Sequence, residues 1–178
     1  MKRSRAVTLA AGLATLAMLS AGGPATADGN QRNSLKARLK AFEEVPAISS
    51  TGRGTLRLKI VDETSIEFKL TYEALEGTIT TASHIHLGQM SVNGGVSVFL
   101  CGGGGRPPCT PTSGSFSGTI TMADVIGPTG QGIAPGEFAE LLRALRAGKT
   151  YVNVHTDKHP GGEIRGQIGP QDDDDNDN

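Results

Sequence analysis

The sequence predicts a mostly-β domain, an antiparallel β-sandwich or barrel carrying one amphipathic helix. Three observations predict it. Apolar and polar residues alternate with period two over several short segments, the pattern of strands with one core face and one wet face. Gly supplies 25 of 178 residues, about twice its usual share, which suits frequent turns between short strands. One stretch alone switches to helical spacing.

The elements follow in chain order. Leu35, Ala37, Leu39 and Ala41 alternate with Lys36, Arg38 and Lys40. Leu56, Leu58 and Ile60 alternate with Arg57 and Lys59, and Ile66, Phe68, Leu70 and Tyr72 with Glu67, Lys69 and Thr71. The Val61-Asp62-Glu63-Thr64 junction reads as a tight hairpin. Further strands are expected over 82–87, 95–101, 115–122, 150–155 and 163–168. Short strands at this spacing, joined by Gly-rich connections, suit a sandwich or barrel. Over 135–147, Phe138, Leu141, Leu142 and Leu145 recur on one helical face. Glu137 and Glu140 lie early and Arg143 and Arg146 late, as the helix dipole prefers. Pro135 suits the first turn and Gly148 the C-terminal cap. This helix is expected to cover one end of the barrel.

The ends are expected to stand outside the domain. Lys2, Arg3 and Arg5 precede a 14-residue uncharged, mostly apolar run, Ala6 to Leu19, and Ala25-Thr26-Ala27 supplies an A-x-A site. Residues 1–27 therefore read as a secretory signal peptide with cleavage before Asp28. The run is short of the ~20 residues that span a bilayer, and no later segment is apolar enough to do so. A linker, 28–34, leads to a domain over 35–169. The tail, 170–178, carries five Asp and no apolar residue beyond its opening Pro170, so it is expected to be disordered.

Charge excludes one class of partner. The formal net charge is −1. With the three signal bases and the five tail acids set aside, 14 bases face 13 acids. A nearly neutral body with five Phe, two Tyr and no Trp offers neither a basic field nor a stacking platform for nucleic acid. An exported chain can keep a disulfide. Cys101 and Cys109 enclose four glycines, Arg106 and two prolines, and a Cys101–Cys109 bridge is expected.

The four histidines fall in two motifs, His84-Ile85-His86 and His155-Thr156-Asp157-Lys158-His159. Residues two apart in a strand share a face, so His84 and His86 point together. Tyr151, Asn153 and His155 share one face of the later strand. If the two strands are neighbours, His84, His86 and His155 converge, and three imidazoles form a copper or zinc site with an open position. The alternative is that the histidines hold loop carbonyls structurally. His159 precedes Pro160-Gly161-Gly162 in a turn and is left out. The chain carries no G-x-S-x-G elbow, P-loop or H-E-x-x-H helix.

Three segments carry a resemblance: 35–46, LKARLKAFEEVP; 82–88, ASHIHLG; and Tyr151-Val152-Asn153-Val154-His155-Thr156, followed by Gly162-Glu163-Ile164-Arg165-Gly166-Gln167-Ile168. In this order they resemble the opening, central and closing motifs of the CHRD domain. That module repeats in the extracellular protein chordin and occurs in exported microbial proteins. The resemblance covers about 35–168. It implies an immunoglobulin-like β-barrel distantly similar to copper–zinc superoxide dismutase, and no settled reaction. His84, His86 and His155 resemble three dismutase copper-ligand positions. A bridging His, a zinc loop and a guide Arg are missing, so dismutase activity is not expected. The Glu and Arg of the family motifs also suggest a barrel-closing ion pair between Glu44 and Arg165, with Glu163 as the competing partner.

The expectation is a secreted, periplasmic or extracellular, non-catalytic module that binds an extracellular protein or envelope component or serves a structural role. The alternative is a metalloprotein holding copper or zinc through His84, His86 and His155, with a redox or storage role.

Overall fold

A computed structural model describes residues 33–171. The expected signal segment and residues 172–178 of the expected tail lie outside the described residues, whereas Pro170, expected in the tail, belongs to a short strand and the Gln171 N–H donates to the Ser34 carbonyl. Nine strands form one antiparallel sheet: β1 (Ser34–Lys40), β2 (Arg53–Asp62), β3 (Ser65–Glu73), β4 (Thr80–Leu87), β5 (Val96–Cys101), β6 (Gly114–Ile120), β7 (Thr150–Thr156), β8 (Ile164–Gln167) and β9 (Gly169–Pro170). The order across the sheet is β5-β4-β7-β8-β1-β2-β3-β6, with β9 also on β1. The sheet rolls until its edges, β5 and β6, approach each other, giving the nearly closed barrel the alternating segments call for.

The inward residues are those of the alternation. Leu56 lies between Ala37 and Leu70, and Leu58 between Leu35 and Phe68; all six are at most 5% exposed. At the β2–β3 turn the Asp62 carboxylate accepts from the Thr64 N–H and hydroxyl and from the Ser65 hydroxyl, at 2.7–3.0 Å, which satisfies the turn's donors.

Helix α1 spans Phe138–Arg146. It is shorter than the sequence suggests because Gly136 sits at φ +84°, a left-handed conformation that an α-helix cannot contain. Pro135 therefore precedes the helix rather than opening it. The C-terminal expectation holds: Gly148 at φ +64° follows the last turn. Phe138, Leu141, Leu142 and Leu145 join the barrel core, each stabilising by roughly 1.5–3 kcal/mol. Arg146 grips Glu63 at the β2–β3 turn through two hydrogen bonds, so the helix caps that end.

Cys101 and Cys109 form the disulfide. Its loop ties the end of β5 to the other sheet edge. Within it, Arg106 pairs with Asp124 at 2.9 Å, donates to the Thr119 carbonyl and lies over the Phe68 ring. Because the closed loop is short, opening it should cost only about 2–3 kcal/mol. A Cys101→Ser/Cys109→Ser variant is expected to stay folded with a melting temperature lowered by several degrees. Loss of folding at room temperature would contradict this.

Candidate metal centre

Strand pairing builds the site. β4 and β7 are neighbours, with Ala82 opposite His155, His84 opposite Asn153 and His86 opposite Tyr151. On β8, Arg165 lies opposite Asn153 and Gln167 opposite Tyr151. Directly paired residues share a face, so these polar side chains stand together outside the barrel wall, while Ile85, Val152, Val154 and Ile164 fill its interior. Loops roof this outer patch. His84 and His86 are 8% and 7% exposed, and Arg165 is 2%.

The structure brings His84, His86 and His155 together. One ring nitrogen from each lies within 4.8 Å of the others. Among the described residues this is the group of histidine, cysteine or carboxylate side chains with the spacing of a metal site, and His159 is not in it. His86 Nδ1 lies 2.8 Å from the Gly94 carbonyl and His155 Nδ1 2.9 Å from the Pro160 carbonyl. A carbonyl only accepts, so both Nδ1 atoms carry the proton and both Nε2 atoms keep a lone pair. His84 Nδ1–H then donates to His86 Nε2 at 2.7 Å, and the Asn153 side-chain amide also meets this nitrogen, with Oδ1 placed at 3.1 Å; with His86 Nε2 unprotonated, the amide presents its NH2 there rather than its oxygen, which can only accept. His155 Nε2 is buried without a hydrogen-bond partner.

Aromatic rings fix the imidazole planes. Tyr151 stacks on His86 with ring centres 4.5 Å apart and planes 3° from parallel. Phe99 meets His84 edge-on at 5.0 Å, and Gly103 and Gly104 of the disulfide loop lie against the Phe99 ring. Burial pushes His84 down to about 3, helped by the charges of His86 and His155, and His86 down to about 4. Burial lowers His155 as well. Burial thus favours the neutral form of all three rings, and His86 Nε2 and His155 Nε2 keep their lone pairs.

Arg165 directs its N–H groups to Asn93 Oδ1 at 3.0 Å and to the carbonyls of Val92 and Gln89 at 2.8 and 3.3 Å. Its guanidinium carbon sits 3.4 Å from the Tyr151 ring centre. Glu44 lies within reach of its charge, but burial dominates and pushes the Glu44 carboxyl up to about 7. Glu44 Oε1 is buried without a hydrogen-bond partner, and a Cβ at Gly162 would run into this carboxyl. Glu163 is turned elsewhere. It accepts from Ser50 Oγ, the Glu76 N–H and Thr156 Oγ1 at 2.6–2.7 Å.

Sequence reasoning placed Tyr151 and Asn153 on the His155 face without assigning them a part. It had no signal for the Gly94 and Pro160 carbonyls, which are backbone atoms, nor for Phe99. No curated protein matches this chain. The CHRD domain matches residues 35–168, which spans every strand that carries the site and most of the chain. The chain belongs to the CHRD domain family.

Proposed function

We propose that this protein is an exported β-barrel module whose ligand is a transition-metal ion, copper or zinc, held by His84 Nδ1, His86 Nε2 and His155 Nε2. One observation carries the reading: three imidazoles converge, and the outer nitrogens of two of them, His86 and His155, are tied to carbonyls so that their lone pairs face inward. Carbonyl partners on the far nitrogen are the usual way a protein orients a ligating His. The fit extends to the orphaned His155 Nε2, a buried acceptor that otherwise costs ~1–3 kcal/mol. An ion held there would replace the His84–His86 hydrogen bond, with His84 binding through Nδ1 and carrying its proton on Nε2. Three imidazoles with an open fourth position suit zinc or copper. The reading assigns no reaction.

A second reading has its own observation. The His86–Gly94 and His155–Pro160 hydrogen bonds hold two loops, and a purely structural role would need no more. The domain would then serve as a docking or structural module for an extracellular protein or envelope component. Titration of tag-free protein with Cu(I), Cu(II) and Zn(II) separates the two. The metal reading expects uptake of about one equivalent, lost at least 100-fold in affinity in His84→Ala and His155→Ala variants that still melt cooperatively. Wild-type protein that takes up none of the three ions would leave the structural module standing.

A further inference from the structure

Arg165 is the largest of the fully buried side chains, and its position concerns the histidine site more than the barrel seam. Its three hydrogen bonds all end on neutral oxygens. Its planar guanidinium lies on Tyr151, and Tyr151 lies parallel on His86. Since β8 and β4 flank β7 on opposite sides, Arg165, Tyr151 and His86 form a column running from a buried cation to a candidate ligand. The carboxyl facing Arg165 is Glu44, which burial holds at about 7, so near neutral pH it compensates the guanidinium only in part.

The ligand set itself is uncharged. The group contains three imidazoles and neither carboxylate nor thiolate. The cost of burying an ion grows with the square of its charge, and neutral ligands offset that cost only through their dipoles. A fixed cation nearby repels a doubly charged ion twice as strongly as a singly charged one. Both effects act in the same direction.

We propose that Arg165, acting through Tyr151 as a positioning residue, biases this centre towards the singly charged ion Cu(I) over the doubly charged ions Cu(II) and Zn(II); this rests on the histidine reading above. The flat stack keeps the His86 ring in plane, and the guanidinium sets the sign of the local potential.

The test is the ratio of the Cu(II) to the Cu(I) dissociation constant, with Zn(II) alongside, in the full exported chain. Cu(I) is measured by competition with a chromogenic chelator under ascorbate. The wild type is expected to hold Cu(I) more tightly than either divalent ion. Arg165→Gln is expected to lower the ratio about 10–100-fold, and Arg165→Lys, which restores the charge, to recover most of it. Glu44→Gln removes the facing carboxyl and is expected to raise the ratio, and it serves alone if Arg165→Gln does not fold. A wild type that prefers Cu(II) or Zn(II), an unchanged ratio in Arg165→Gln, or a lowered ratio in Glu44→Gln would overturn the proposal. A wild type that takes up no ion would instead remove the histidine reading beneath it.

Discussion

Acidifying the metal-free protein from pH 6.5 to 4.5 is expected to cost about 1.4 kcal/mol of stability per pH unit. The unfolded chain protonates His84 and His86 near 6.5, whereas the folded protein keeps them neutral down to about 3 and about 4. In this window the unfolded state therefore holds two more protons on these residues. Glu44 opposes them: folded, it stays protonated up to about 7, while unfolded it loses its proton above 4.5. The net is one extra proton on the unfolded side, so stability falls as pH falls. The depressed His155 adds to the loss. Below 4.5 the Glu44 contribution vanishes and the slope doubles until His86 begins to protonate. Glu44→Gln removes the opposing group. It should steepen the loss between 6.5 and 4.5 and raise stability at pH 8 by up to about 3 kcal/mol. Denaturant unfolding across pH checks both points. A flat profile through this window, or a Glu44→Gln variant weaker than wild type at pH 8, would show that burial does not govern these groups.

Glu163→Ala is expected to lower stability by about 3–5 kcal/mol, or roughly 10 °C in melting temperature. Glu163 is 0% exposed. Burial raises its carboxyl, but the hydrogen bonds from Ser50, Glu76 and Thr156 together hold it below the ordinary carboxylate value. These donors come from three places: the β1–β2 connection, the β3–β4 connection and the end of β7. Truncation leaves all three without their acceptor in a buried site. Glu163→Gln keeps a carbonyl acceptor and is expected to fall between the two. A melting temperature within a degree or two of wild type for Glu163→Ala would refute this account.

The sequence by itself determined the strands, the faces and the helix. Alternation is a local property, so Leu56, Leu58 and Ile60 had to share one side wherever their strand lay, and His84 and His86 had to share the other side of β4 from Ile85. The helical spacing of Phe138, Leu141, Leu142 and Leu145 likewise named the buried stripe of α1, although the start of α1 depended on the backbone of Gly136. Tertiary structure decided the rest. Which strands are neighbours, and in what register, depends on contacts distant in sequence; the pairing of Ala82 with His155 is what carries the third imidazole to the other two. An outward-facing polar row normally meets water. Here loops cover it, and that burial makes the histidines neutral and the Arg165 charge consequential. The carbonyls of Gly94 and Pro160 orient two of the rings, and every residue has a carbonyl, so only the folded chain could single these out.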